Sequence, residues 1–362
     1  MPSLQPPELS LPGPLPLPLS PPLPLAGRRI LLTGGTGFVG RSILDYCAES
    51  AVGDGADFSV TVPSRAPHAF LAAHPGYADL AWLRLVPGDL AALPDVGGYD
   101  ALIHAAADTH CAGDPVGWFD QLVTGTRRVL DHAVRAGATR ALLVSSGAVY
   151  GGGVDRPAEA DDGLAPRPGD TSSVYAQGKR AAEHLFALYG RQYGIEGVVA
   201  RLFAVISPHM PLDGPYAAGN FIRDALADDR DAIRIAGNPA TLRSYIDGRD
   251  MAHWLVTLLL HGAAGEAYNV GSDQAITIPD LARAIAAALR TDKPVVLDPA
   301  GAARPTSNYV PAIAKAARLG LKIETSLPAA IVRAAAGRGR RDAGNEPDGT
   351  GGAAPQRVIR IG

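Results

Sequence analysis

The feature that most constrains this chain is a glycine-rich loop, Thr33-Gly34-Gly35-Thr36-Gly37-Phe38-Val39-Gly40. It lies between a short apolar run, Arg29–Thr33, and a segment with helical periodicity, Phe38–Ala48. Strand, tight turn and helix in that order build an anion site. Gly34 and Gly37 let the backbone turn sharply and approach a pyrophosphate, and Gly40 lets the helix pack on the strand. The N–H groups of the first helical residues, Phe38 and Val39, then face the anion. A glycine-rich turn without a ligand is the plainer alternative.

The pattern continues to alternate. Phe58–Val62, Trp82–Val86, Ala101–Ala105, Ala141–Ser145 and Gly197–Leu202 read as strands, and Phe119–Ala136 and Val174–Tyr193 as long helices. Strands alternating with helices predict an α/β chain, with a parallel sheet covered on both faces. Right-handed crossovers make that sheet a doubly wound Rossmann fold, whose ligand sits at the C-terminal strand ends. After about Ser207 the helices Asn220–Ala227, Asp250–His261 and Pro279–Arg290 alternate with the short strands Ile233–Ala236, Ala267–Val270 and Val295–Leu297. We read these as a smaller substrate lobe. The expected division is a disordered Pro/Leu-rich extension over 1–26, a dinucleotide-binding domain over 27–206, the lobe over 207–336 and a solvated tail over 337–362.

Composition narrows the function. With 47% hydrophobic and 19% charged residues the 362-residue chain can bury a sizeable core, and a net charge of −3 without a basic block argues against nucleic acid. Two cysteines, Cys47 and Cys111, cannot build a disulfide framework or a four-ligand zinc site, so no metal is expected and a cytoplasmic setting fits. No run approaches the roughly 20 apolar residues of a membrane span. Alternate prolines from Pro12 to Pro18 forbid a helix there, and the segment has no basic start of the kind a signal peptide carries. A ligand in polyproline conformation for a partner domain is the sharper reading of that arm.

The end of the second strand selects the cofactor. An NAD site usually has a carboxylate there for the ribose hydroxyls. Here the chain runs Val62-Pro63-Ser64-Arg65. A guanidinium and a hydroxyl suit a 2′-phosphate, so NADP(H) is favoured and NAD(H) is the alternative. Arg65 as a solvated residue, or stacked on the adenine, is the competing reading. Asp89, followed by Leu90 after the third strand, is a candidate acceptor for the adenine amino group, against a simple turn-forming aspartate. Histidines 110 and 209 read as solvated loop residues.

Ser146 stands at the end of the fifth strand, and Tyr175 and Lys179 open the next long helix four residues apart, hence on one face. A phenol with a pKa of about 10 needs help to exchange a proton at neutral pH. A neighbouring ammonium and an oxidised nicotinamide stabilise its phenolate. Tyr175 can then exchange the carbinol proton while hydride moves, with Ser146 holding the same oxygen.

With these motifs the chain resembles the extended short-chain dehydrogenases/reductases, in the NAD-dependent epimerase/dehydratase group that acts on nucleotide sugars. The resemblance runs from about Arg29 to Ala334. It rests on the glycine loop, His104-Ala105-Ala106-Ala107, Ser146 with Tyr150, Tyr175 with Lys179, Arg201, Arg243-Ser244-Tyr245-Ile246 with Asp250, and Tyr268-Asn269-Val270-Gly271. It implies that Ala105 lines the cofactor site, that Arg243 contacts the nucleotide diphosphate, and that the enzyme is a homodimer joined through two helices. An ion pair from Arg243 to Asp247 or Asp250 is the structural alternative. The departures are informative. Gly147 and Ala148 stand where the group's dehydratases carry Asp-Glu, and Ala204 stands where an Asn is usual. Asn220 is a candidate replacement amide, or else a helix N-cap. The expected reaction is NADPH-dependent reduction of a nucleotide-activated 4-keto-6-deoxyhexose. NAD-dependent 4-epimerisation is the runner-up, and 4,6-dehydration stands third.

Overall fold

The structure, a computed structural model, describes residues 25–51, 57–109, 113–151, 155–161 and 165–339. The chain opens with β1 (Arg28–Thr33), α1 (Phe38–Ser50), β2 (Phe58–Ser64), α2 (Pro67–Ala73), β3 (Leu83–Pro87), β4 (Ala101–His104), α3 (Pro115–Arg135), β5 (Arg140–Ser146), α4 (Val174–Tyr193) and β6 (Glu196–Leu202). Then follow β7 (Val205–Ile206), α5 (Ala217–Leu226), β8 (Ile233–Ile235), β9 (Leu242–Arg243), β10 (Ile246–Asp247), α6 (Gly248–His261) and β11 (Ala267–Val270). The last elements are β12 (Ile276–Thr277), α7 (Ile278–Ala288), β13 (Val295–Leu297), α8 (Pro299–Ala302), α9 (Ala314–Ala317) and α10 (Leu327–Gly339).

Seven parallel strands form one sheet in the order β11-β6-β5-β4-β1-β2-β3. The inner strands β1, β4, β5 and β6 carry buried apolar runs because helices cover both faces. One face packs on α1 and α6 around Leu32, Ile103, Leu142, Trp254 and Leu258; the other packs on α3 and α4 around Leu31, Leu102, Val129, Leu143 and Phe186. The doubly wound Rossmann sheet expected from the sequence is therefore present.

One strand is misplaced by the sequence reading. Ala267–Val270 is not part of the smaller lobe; it pairs with β6 and closes the main sheet. Periodicity identifies a strand but not its neighbour. The lobe has its own core, built from Ile206, Phe221, Ile222, Ile233, Leu281, Ile285 and Ile331 of α5, α7, α10 and their short strands. The boundaries of the tails also shift. Leu25 is buried in the main core, so order begins before Gly27, and α10 continues beyond residue 337. The rest of the proline-rich arm lies outside the described residues, as do His110 and Cys111. Helix α3 starts four residues earlier than its periodicity suggests, because Asp114 caps it by accepting from the Gly117 N–H at 2.9 Å and Pro115 occupies the first turn.

Two buried titratable groups oppose each other in acid. His104 lies between the Thr33 and Thr126 hydroxyls, at 2.7 and 3.1 Å, and burial lowers its pKa to about 3, with the Lys179 charge adding to the effect. Asp247 caps α6 and pairs with Arg333 at 2.7 Å, and burial raises its pKa to about 6 against the pull of Arg333. Below about pH 6.5 the unfolded chain takes up the histidine proton first, so His104 removes stability as pH falls. Between pH 6 and 3.8 the folded chain takes up the aspartate proton first, so Asp247 restores it. Each slope is about 1.4 kcal/mol per pH unit, and the two cancel near pH 4–6. Relative to the parent, melting temperatures across that range should therefore climb towards acid in His104→Gln and drop towards acid in Asp247→Asn. Parallel curves for both variants and the parent would refute the assignment.

Candidate active site

The glycine loop joins β1 to α1 at the C-terminal edge of the sheet. Gly34 has φ +76°, and a Cβ on it would lie 2.6 Å from the Ala106 backbone nitrogen. A Cβ on Gly40 would lie 2.2 Å from the Gly34 carbonyl oxygen. Both positions admit only glycine. Gly37 has an ordinary extended backbone, φ −78°, so its value is the bare N-cap and not a special turn. Helix α1 has no side-chain cap and no acidic residue in its first turn. The N–H groups of Phe38 and Val39 are thus oriented for an external anion. This cradle, which any side chain would fill, fits a dinucleotide pyrophosphate.

Ala105 follows β4, where its N–H donates to the Thr33 carbonyl at 3.1 Å and holds the loop floor against β1. Ser64 is buried at the end of β2, and its Oγ accepts from the Ala66 N–H at 3.3 Å; Arg65 beside it is exposed. Asp89 forms the turn that was its alternative reading: its Oδ1 accepts from the N–H groups of Ala91 and Ala92, both at 2.8 Å. Leu90 packs over Gly125 of α3.

Ser146 ends β5. Its Oγ accepts from the Ala148 N–H at 3.2 Å and lies 3.1 Å from the Tyr309 hydroxyl. Tyr175 is the second residue of α4, and its ring stacks on Trp118 at 5.8 Å and 19°. The Lys179 ammonium lies 5.8 Å from the centre of that ring and donates to the Val144 carbonyl at 2.8 Å. Burial pushes the Tyr175 phenol well up, Tyr309 and Tyr216 add to the shift, and the Ser146 bond opposes it. Burial draws Lys179 down to about 8, against the pull of Glu183. At neutral pH the pair is a neutral phenol beside an ammonium, which is an acid ready to donate.

Three aromatic residues that sequence reasoning missed complete the chamber. Tyr309 bonds Ser146, meets the Phe203 ring at 4.5 Å and a tilt of 38°, and lies with its ring centre 5.8 Å from the Arg243 guanidinium. Trp118 backs Tyr175 and anchors its Nε1–H on the Asp108 carbonyl at 2.7 Å. Tyr216 bonds Thr109 at 2.8 Å and meets the Phe38 ring edge-on at 6.1 Å, tying the lobe to the glycine loop. None sits in a motif with local spacing, so no sequence signal marked them.

Other expectations change. Asn220 is neither an N-cap nor a free amide: it is the fourth residue of α5, donates to the Gly214 carbonyl at 3.0 Å and accepts from Arg223. Arg243 makes no ion pair with Asp247 or Asp250. Asp247 pairs with Arg333, Asp250 accepts from the Glu324 and Thr325 N–H groups, and Arg243 donates to the Ser307 carbonyl. Among the described residues no carboxylate faces that guanidinium. His209 is not a solvated loop residue, since its Nε2 meets Asp45 at 2.6 Å. The absence of carboxylates at Gly147 and Ala148 has a packing counterpart, because a Cβ on Gly147 would lie 2.5 Å from the Phe203 ring. Among the described residues no carboxylate bonds Ser146 or Tyr175, and no cluster of metal-ligating side chains exists.

Known proteins agree with this architecture. The NAD dependent epimerase/dehydratase family matches residues 30–271. UDP-glucuronic acid decarboxylase 3 of Arabidopsis thaliana is 30% identical over 71% of this chain and 73% of its own length. Among solved structures, DesIV of Streptomyces venezuelae, a dTDP-glucose 4,6-dehydratase with NAD and TYD bound, is 26% identical, with a TM-score of 0.71 over 87% of this chain and 98% of its own. RMD from Pseudomonas aeruginosa, complexed with NADPH, is also 26% identical, with a TM-score of 0.64 over 86% and 98%. With the glycine cradle between β1 and α1, and Ser146, Tyr175 and Lys179 at the end of β5 and the start of α4, the chain belongs to the NAD-dependent epimerase/dehydratase family, as an extended short-chain dehydrogenase/reductase enzyme.

Proposed function

We propose that this enzyme reduces a nucleotide-activated 4-keto-6-deoxyhexose at C4 with NADPH. The observation that carries the reading is the site's inventory: a neutral Tyr175 phenol, the Lys179 ammonium and Ser146, with no carboxylate bonded to either hydroxyl among the described residues. Eliminating water from a sugar calls for a separate acid and base, whereas adding hydrogen to a ketone needs one proton donor and one oxygen-binding group. When bound, the dihydronicotinamide supplies the hydride. Ser146 holds the ketone oxygen, Tyr175 donates its proton to that oxygen as charge develops, and Lys179 offsets the phenolate left behind. Arg243, which has no carboxylate partner among the described residues, suits the substrate's diphosphate. Asn220, committed to Gly214, is not assigned to the substrate. A 4-epimerase would share these catalytic residues and is the second reading, favoured by the family's breadth.

The pyrophosphate is held by the loop at Gly34, Gly37 and Gly40 with the Phe38 and Val39 N–H groups. Leu90 and Ala105 wall the cofactor site, and Asp89 has one carboxylate oxygen left for the adenine. Ser64 and Arg65 select the 2′-phosphate. Arg65→Ala is therefore expected to raise the KM for NADPH about 10-fold or more and to leave that for NADH nearly unchanged, the size of one charge-assisted hydrogen bond. Equal changes for both cofactors would remove Arg65 from this role. Residues 207–336, apart from α6, β11 and α9, which pack in the main body, form the substrate lobe. We place the enzyme in the cytoplasm, where a reduced Cys47 and a nicotinamide couple belong; none of its described helices is long and apolar enough to cross a membrane.

The homodimer is proposed through α3 and α4, where Val116, Phe119, Leu188 and Tyr193 are exposed. Phe119→Glu with Leu188→Glu should halve the mass seen by light scattering, and a monomeric parent would end the idea. The reaction itself is tested by mixing the enzyme with dTDP-4-keto-6-deoxyglucose and following NADPH absorbance. Stoichiometric loss supports reduction. No loss, with isomeric sugars formed from a saturated nucleotide sugar, replaces it by epimerisation.

A further inference from the structure

A polar chain runs behind the catalytic face that the proposed reaction does not use. On α4 the spacing Tyr175, Lys179, Glu183 continues one stripe by a further turn, and side chains four apart on a helix lie about 5–6 Å apart at Cβ. The Glu183 carboxylate accepts from the Ser145 hydroxyl at 2.5 Å and from Arg201 Nη2 at 2.8 Å, with Arg201 Nε at 3.2 Å from both its oxygens. Arg201 is 5% and Glu183 13% exposed at the side chain. Arg201 also donates to the Tyr150 hydroxyl at 3.0 Å, and Tyr150 donates to Asn269 Oδ1 at 2.7 Å. The chain thus links β11, β6, α4 and β5, and ends one residue before Ser146 and one helical turn from Lys179.

We propose that Glu183 is a positioning residue: held by Arg201 and Ser145, its negative charge keeps the buried Lys179 ammonium protonated beside Tyr175. The inference rests on the reading of Tyr175 and Lys179 as the catalytic pair. Lys179 is 4% exposed, and among the described residues its hydrogen-bond partner is the uncharged Val144 carbonyl, which does not compensate its charge. The groups that face it support this. From β4 comes His104, neutral and buried; from β5 the Val144 carbonyl; from α3 the apolar Leu122, packed on Gly178; from its own helix Tyr175, a neutral phenol, and Glu183. Glu183 is the one anion among them.

An ordinary structural ion pair would also explain burial and bonding, so the test must read the lysine itself. The chain has four lysines, Lys179, Lys293, Lys315 and Lys322. Selective ¹³C-lysine labelling of the full chain therefore gives four Cε resonances, and Lys179→Met assigns the one of interest. In Glu183→Gln the Lys179 titration should move down by about 1 unit, the low end of what one opposite charge nearby confers. Glu183→Asp, which keeps the charge, should titrate near the parent. Because Glu183→Gln removes the counter-charge of the buried Arg201, the paired variant Glu183→Gln/Arg201→Met is measured beside it, and the same downward direction is expected. A Lys179 titration unchanged in the folded variants would overturn the proposal, and so would an equal shift in Glu183→Asp. The alkaline limb of the rate profile should move with the resonance. The readouts separate: the lysine shift with no reduction of a 4-keto sugar keeps Glu183 and discards the reaction, and reduction without the shift does the reverse.

Discussion

Replacing Tyr175 by Phe should lower kcat for NADPH-dependent reduction by about 10²–10⁴-fold, the usual worth of a general acid. The side chain loses one oxygen and keeps its ring, so the stack on Trp118 at 5.8 Å survives and the melting temperature should stay within a few degrees. KM should change little, because the phenol acts on charge that develops in the transition state and not on the bound ketone. The measurement is steady-state kinetics beside a thermal melt. A variant with near-parental kcat would transfer the proton to another group. The Tyr309 hydroxyl, 3.1 Å from Ser146 Oγ, would be the first to examine.

Gly40→Ala should do comparable damage by a different route. The new methyl would stand 2.2 Å from the Gly34 carbonyl oxygen and 2.4 Å from the Gly35 Cα, and both are backbone atoms that cannot rotate away. Either α1 lifts from β1 or the loop opens. A displacement of about 1 Å in such a site can cost around 100-fold, so NADPH affinity should fall by that order, together with a loss of stability as α1 loosens from α6. Fluorescence titration with NADPH and a melt read the two effects. Tight cofactor binding in a stable variant would refute the cradle geometry. Gly37, with an ordinary backbone and its nearest contact at 3.3 Å, should accept alanine with a smaller penalty, which makes it the control.

The parts of the site legible in sequence are those made by local spacing. A turn between one strand and one helix fixes its glycines within eight residues, and a helix fixes Tyr175 against Lys179 within one turn. The parts not legible are made by long-range contact. Tyr309 reaches Ser146 across 163 residues, and Thr109 meets Tyr216 across 107. Asn220 failed for a related reason: α5 begins at Ala217 with Tyr216 as its N-cap, so the amide fell inside the helix and turned back to Gly214. Asp89 had two readings from the same residues, and only the geometry of Ala91 and Ala92 separates the turn from a free carboxylate. In the fold, strand identity was legible because apolar runs mark it, while partner choice was not, and β11 was assigned to the wrong body.

That last strand bears on how the molecule can assemble during synthesis. Tyr268 pairs with Ala200 and Asn269 with Arg201, so the edge of the main sheet waits for chain that emerges some 68 residues later. Until then β6 offers an unpaired edge of buried residues, and the polar chain through Arg201 and Tyr150 lacks its Asn269 end. A fragment ending at residue 206 would keep that edge open for good, and open edges recruit other chains. Non-local pairing of this kind also slows folding. The intervening segment is thus a long loop in kinetic terms: its own collapse around Phe221 and Ile233 shortens the distance that β11 must search before the sheet can close.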